Sequence, residues 1–215
     1  YDRDDILSVM RGISSYDDQN LKRFIPNKKK LIANLFYEPS TRTSSSFYAA
    51  ATYLGYEVLS INNVQYSSVA KGESLEDTIR TLASYVHCII LRHSEEGAAN
   101  AAAQVSAVPI INAGDGIGEH PTQTLLDLYT IYKKFNRLDQ LTVTLMGDLK
   151  YGRTIHSLIQ ALDLFDTHIN LIGPKELKLP LKYYKNEYIE STMLTENIAM
   201  STDVLYITRV QKERG

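Results

Sequence analysis

Short apolar and β-branched runs alternate along this chain with longer stretches whose apolar positions recur at helical spacing. The pattern predicts strands over residues 31–37, 57–61, 86–91, 108–113, 141–147, 168–173 and 203–208. Between them it predicts helices over 41–54, 74–84, 96–105, 121–135, 152–162 and 179–198. Such alternation builds parallel sheets with helical crossovers. Val108-Pro109-Ile110-Ile111 and Leu141-Thr142-Val143-Thr144-Leu145-Met146 are apolar or β-branched on both faces, as a sheet covered on both sides requires. The polar stretch from Lys133 to Gln140 follows a long helix and precedes a fresh strand. It marks a boundary between domains at 1–135 and 136–215. The expectation is an α/β protein of two doubly wound parallel-sheet domains with a cleft between them. Ligands of open α/β sheets sit beyond the carboxyl ends of the strands, so the residues following each strand are the ones to inspect.

The most informative strand end is the first. Phe36-Tyr37-Glu38-Pro39-Ser40-Thr41-Arg42-Thr43-Ser44-Ser45-Ser46-Phe47 turns from a strand straight into a helix that Ser40 or Thr41 would cap. Hydroxyls, the Arg42 guanidinium and the positive end of a helix dipole converge there, which suits an anion such as a phosphate. A Ser/Thr run alone would be only a solvated first turn. Arginine in that turn opposes the dipole and costs roughly a few tenths of a kcal/mol unless an anion offsets it.

Other strand ends carry polar groups to the same edge: Arg92-His93, the segment from Gly114 to Gln123, Asp148 to Arg153, and Thr208 to Arg214. Pro121 suits the first position of a helix, with His120 at its N-cap and Gln123 in its first turn. His120 taken alone is an ordinary cap. Beside Arg42 and Arg92 it becomes a candidate donor to a substrate oxygen. Arg153 and Arg209 supply a later pair of cations suited to carboxylates. The polar loop from Gln65 to Ser74 is long for a connection in a compact domain, and Ser74 can cap the next helix with Asp77 as partner. Its Ser68-x-x-Lys71 lacks the companion motifs of a serine nucleophile.

Composition narrows the field further. With 215 residues, 44% of them hydrophobic, the chain can form one large or two small domains. A net charge of −2 gives no general reason to bind nucleic acid or an acidic membrane, so anions must be captured locally. The one cysteine, Cys88, forms no intrachain disulfide, fits a core position and suits a reducing compartment. No apolar run approaches a membrane span, and no signal-peptide pattern precedes Tyr1. Gly114-x-Gly116-x-Gly118 has the wrong spacing for a dinucleotide, Gly147-x-x-x-x-Gly152-Arg153 lacks a P-loop lysine, and the five histidines lack metal-ligand spacing.

Taken together, Phe36 to Phe47, Lys71 to Thr78, Asn112 to Leu128, Gly147 to Leu158 and Asp203 to Arg214 resemble the aspartate carbamoyltransferases over nearly the whole chain. The Ser-Thr-Arg-Thr turn and His-Pro-x-Gln resemble carbamoyltransferases in general. Thr-Arg-Val-Gln-Lys-Glu-Arg resembles the aspartate enzymes, and the Asp-x-x-x-Ser-Met-Gly stretch of the ornithine enzymes is missing. The resemblance implies transfer of the carbamoyl group of carbamoyl phosphate to the α-amine of L-aspartate, with no metal or cofactor. It implies that Ser40, Thr41, Arg42 and Thr43 hold the phosphate with Arg92, that Thr43, Arg92 and His120 donate to the carbonyl oxygen, and that Gln123 orients the amide. Arg153, Arg209 and Gln211 would clamp aspartate, while Ser67 and Lys71 would reach the active site of an adjacent subunit in a homotrimer. A cytoplasmic enzyme of pyrimidine synthesis follows, with possible regulatory chains or fused pathway domains. The family also has a His-Pro-Leu/Met-Pro loop and a final helix beyond the point matched by Gly215, so the second domain is expected to be incomplete. The alternatives are a carbamoyltransferase for another amine, disfavoured by Arg153 and Arg209, and a catalytically silent homologue that binds phosphate or serves assembly.

Overall fold

The computed structural model describes residues 2–14, 28–62, 72–116 and 120–209. Its contacts divide the chain into Ser15–Thr122 and a second unit that joins Tyr1–Ser14 to Gln123–Gly215. Each unit holds one four-stranded parallel sheet.

In the first unit the strands β1 (Leu31–Phe36), β2 (Glu57–Ile61), β3 (Cys88–His93) and β4 (Ile110–Asp115) lie in the order β2-β1-β3-β4. The chain steps outward from β1 to β2 and then returns past β1 to β3 and β4. Right-handed crossovers therefore put the connecting helices on opposite faces. Helix α2 (Thr41–Tyr53) sets Ala51, with Phe47, against Ile32, Phe36, Ile90 and Ala113. Helices α3 (Leu75–Ala83) and α4 (Ala98–Val105) set Ile79, Leu82, Ala99 and Ala102 against Ala33, Leu35, Ile89 and Leu91. Successive residues of β1 thus serve opposite faces, as the two-residue period of a strand dictates. Cys88, expected in the core, is half-buried against the α2-side cluster, and burial pushes its thiol up.

The second unit has the order β7-β6-β5-β8, from β5 (Leu141–Met146), β6 (Thr167–Ile172), β7 (Ile189–Ser191) and β8 (Val204–Ile207). Its core gathers Leu141, Val143, Leu145, Ile169 and Leu171 with Ile155, Leu158, Ile159 and Leu162 of α6 (Arg153–Leu162). Helix α1 (Arg3–Ser14) adds Ile6 and Met10, and α5 (Pro121–Phe135) adds Leu128 and Ile131. The expected partition at 135/136 and the division of contacts therefore differ by α1 and α5, whose inward faces belong to the later core.

The segment expected as a helix over 179–198 is not one helix. Pro180 opens a short 3-10 turn at Leu181–Tyr183, β7 follows, and only Glu196–Ser201 is helical, as α7. Proline at the start of a run and the tyrosine-rich stretch behind it favour extended backbone, which yields the fourth strand of the sheet. Strands β3 and β4 run two residues later than expected, so Arg92, His93 and Asp115 end strands rather than follow them. No helix among the described residues is long and apolar enough to cross a membrane.

Candidate active site

Both sheets reverse strand order at one point, between β1 and β3 in the first and between β5 and β8 in the second. Crevices that take ligands in open α/β sheets form there, beyond the carboxyl ends of the strands. Arg42 follows β1, and Arg92 lies within β3 opposite Phe36. Arg153 follows β5, and Arg209 follows β8. The four arginines singled out in the sequence sit two to each switch point.

The helices at these points begin alike. Ser40 occupies the N-cap of α2 without a side-chain cap bond, and no acid lies in the first turn. Gly152 occupies the N-cap of α6, again with no side-chain cap and no first-turn acid. Arginine stands in the first turn of each. Helix α3 begins differently, with a side-chain cap and acids in its first turn. Ser74 Oγ accepts from the Asp77 N–H at 3.1 Å, Glu76 and Asp77 lie in the first turn, and Arg80 lies in the last. The Asp77 carboxylate takes Arg80 at 2.9 Å, so the expected capping box keeps only its serine half.

In the first unit Thr41 and Arg42 are exposed, and Ser40 and Thr43 are half-buried. The start of α2 is tied to the sheet through Asn34, wholly buried on β1, whose Nδ2 donates to the Ser44 carbonyl and to Ser44 Oγ at 3.2 Å each. Arg92 is buried, its Nε donating to Glu38 Oε2 at 3.2 Å and its Nη1 to the Ala113 carbonyl at 3.1 Å. His120 is buried as well and directly precedes Pro121, the first residue of α5. Gly114 explains how Arg92 and His120 come together. A Cβ there would stand 3.1 Å from Arg92 Nη1 and 3.3 Å from the His120 ring, on a backbone at φ +114° that side chains rarely adopt. His93 does structural work: its ring packs on Tyr37 with centroids 4.5 Å apart, Nδ1 accepts from the Glu95 N–H at 3.0 Å, and burial lowers its pKa.

In the second unit the turn before α6 is held by Asp148, whose Oδ1 accepts from the Tyr151 N–H at 2.9 Å. The Asp148 N–H donates to Thr208 Oγ1 at 3.0 Å, which fixes the end of β8 beside the end of β5. Gly147, at φ +124°, permits that approach, since a Cβ would meet the Thr208 carbonyl at 2.3 Å. Arg153 is half-buried and Arg209 exposed. Gln123, half-buried, donates from Nε2 to Asp127 Oδ1 at 2.9 Å, and the Tyr206 hydroxyl donates to Asp127 Oδ2 at 3.1 Å. Burial pushes the Asp127 carboxyl up; burial and the neighbouring Asp127 charge push Tyr206 up to about 12.

Ser67, Lys71 and Gln211 lie outside the described residues. Among the described residues no group of three or more His, Cys, Asp or Glu side chains is placed to hold a metal ion. Glu38, Asp127 and Tyr206 were not singled out in the sequence, and Gly114 was weighed only as part of a dinucleotide pattern. The four-residue spacing of Gln123 and Asp127 on one helix was the signal available for that pair.

Residues 1–133 match the family model described as aspartate/ornithine carbamoyltransferase, carbamoyl-P binding domain. The chain belongs to the aspartate/ornithine carbamoyltransferase family. Within that family its relatives carry the aspartate name. The aspartate carbamoyltransferase catalytic subunit of Archaeoglobus fulgidus is 50% identical over 216 residues, covering 99% of this chain and 72% of the relative. The same subunit of Methanocaldococcus jannaschii is 51% identical over 197 residues, 86% of this chain and 62% of the relative. A solved catalytic subunit of M. jannaschii aspartate transcarbamoylase superposes with a TM-score of 0.89 at 46% identity, over 100% of this chain and 72% of that one. The Trypanosoma cruzi enzyme, solved with carbamoyl phosphate and aspartate, gives a TM-score of 0.89 at 37% identity, over 100% and 71%. The chain thus spans roughly two thirds of its relatives' length.

Proposed function

We propose that this chain transfers the carbamoyl group of carbamoyl phosphate to the α-amine of L-aspartate, giving N-carbamoyl-L-aspartate and phosphate. The observation that carries this is the paired arginine-bearing helix starts. Each unit opens a helix at its switch point with a cation in the first turn, no acid in that turn and no side-chain cap. Two anionic reactants, one for each unit, suit such a pair.

Ser40, Thr41, Arg42 and Thr43 hold the phosphate, joined by Arg92. Thr43, Arg92 and His120 donate to the carbonyl oxygen, and Gln123 orients the carbamoyl amide. Arg153, Arg209 and Gln211 take the two carboxylates of aspartate. The neutral amine attacks the carbamoyl carbon, negative charge develops on the carbonyl oxygen of the tetrahedral intermediate, and phosphate departs with its electron pair. The amine proton passes to that phosphate. Rate comes from orienting the reactants and stabilising the oxyanion, with no covalent enzyme intermediate. Ser67 and Lys71 complete the site of a neighbouring subunit in a homotrimer, in a cytoplasmic enzyme of pyrimidine synthesis with regulatory chains or fused pathway domains as partners.

The test is carbamoyl-aspartate formation by the full-length chain from carbamoyl phosphate and aspartate, with ornithine as the parallel acceptor and subunit mass measured alongside. Turnover with aspartate alone supports the proposal. Binding of carbamoyl phosphate without turnover would move the choice to a silent homologue.

A further inference from the structure

Asp127 sits one helical turn beyond Gln123, and its two carboxylate oxygens have separate donors. Gln123 Nε2 donates to Oδ1 at 2.9 Å, and the Tyr206 hydroxyl donates to Oδ2 at 3.1 Å. Tyr206 lies on β8, which leads directly to Arg209. A glutamine amide is nearly symmetric in shape, and only its hydrogen-bond partners decide which end is the donor. An ionised carboxylate accepts and cannot donate. The amino end of Gln123 is therefore held on Asp127, and the carbonyl Oε1 is left as the end that can meet a substrate. Tyr206 holds the carboxylate from the other side, so Asp127 cannot follow the glutamine if it swings.

We propose that Asp127, braced by Tyr206, is a positioning residue that fixes the amide of Gln123 so that Oε1 is presented as an acceptor to the NH2 of the carbamoyl group. This rests on the role given to Gln123 above. It also accounts for a half-buried acid in α5 whose partners among the described residues are an amide and a hydroxyl: its task is to accept, and a cation would compete with the amide. The consequence is selective. Recognition of a carbamoyl NH2 depends on Asp127, whereas recognition of bare phosphate does not.

Asp127→Asn tests this at nearly constant shape, because its amino group can donate to Gln123 Oε1 and so lets the glutamine turn over. In the full-length enzyme the KM for carbamoyl phosphate should rise about tenfold, the effect of one lost hydrogen bond. The inhibition constant for inorganic phosphate and the thermal midpoint should stay near those of the parent. Tyr206→Phe should give a smaller rise of the same kind, and it serves as the test should Asp127→Asn fold poorly. Gln123→Ala should raise the same KM, and combining it with Asp127→Asn should add little further, since the two act as one unit. If Gln123→Ala changes nothing, the role of Gln123 itself fails. If Gln123→Ala is impaired while Asp127→Asn and Tyr206→Phe are not, or if phosphate inhibition weakens in step with KM, the positioning role is overturned.

Discussion

A cation in a first helical turn, as Arg42 is in α2, works against the dipole until an anion joins it. Arg42→Ala should leave folding intact yet lower turnover, and His120→Ala should do the same, each by roughly 10²-fold, the scale of losing one group that stabilises developing charge, at the departing phosphate for Arg42 and at the carbonyl oxygen for His120. Steady-state assays at saturating aspartate decide this, and near-normal turnover in both variants would sink the role assignment. His156 makes the opposite kind of prediction. It is buried, its Nε2 is 2.9 Å from the Leu149 carbonyl, and its ring stacks on Tyr183 with centroids 4.1 Å apart. Burial, helped by nearby Lys182, holds its pKa below the ordinary 6.5. The unfolded chain therefore binds the proton first as pH falls, so stability present above 6.5 declines from there toward the lower folded value. Urea midpoints for His156→Gln should depend less on pH, as it falls below 6.5, than those of the parent. Arg42, Arg92, Arg153 and Arg209 were legible in the sequence because each follows or ends an apolar run. Asp127 and Tyr206 were not, because a carboxylate on a helix and a tyrosine in a strand are ordinary until their contact is seen.

Helix starts divide by what completes them. Ser74→Ala removes the cap of α3 and should cost about 1 kcal/mol. Ser40→Ala, at a helix start with no side-chain cap bond to lose, should shift the denaturant midpoint hardly at all while weakening carbamoyl phosphate binding. Equal destabilisation of both variants would mean that α2 is capped like any structural helix. Of the elements, α5 was legible to the residue because Pro121 announces its start and its apolar period is long. Strands β3 and β4 were placed two residues early because their last positions are polar. Arg92, His93 and Asp115 break the apolar pattern where the strand delivers its chemistry. The stretch after Pro180 failed for a different reason: a three-residue strand leaves no periodic signal, and spaced tyrosines imitate a helical face.

In the proposed reading, the phosphate of carbamoyl phosphate is taken by the first unit and the carboxylates of aspartate by the second. Arg153→Ala should raise the aspartate concentration needed for half-maximal rate about tenfold or more, the cost of one charge-assisted contact, with little change for carbamoyl phosphate. Arg42→Ala should do the reverse. Equal effects of either variant on both substrates would argue against assigning one substrate to each unit. The α/β class and the pair of parallel sheets were legible because strand–helix alternation depends on local periodicity. The membership of α1 and α5 was not, since nothing local in Ile6, Met10, Leu128 or Ile131 says which core they join.

That membership of α1 sets a condition on how the molecule is made. Ile6 and Met10 leave the ribosome well before the rest of the core they join, which begins with Leu128 and continues through Leu179. At a translation rate of about 5–20 residues per second, the roughly 130 residues separating Met10 from Leu141 take some 7 to 30 s to appear. Late in that interval, once Asp115 has emerged, the unit Ser15–Thr122 can close its own sheet while the apolar stripe of α1 still has no native home. The nascent chain must carry that stripe, shielded by a chaperone or kept soluble by Asp4, Asp5 and Arg11 on the same helix, until the second sheet emerges to receive it.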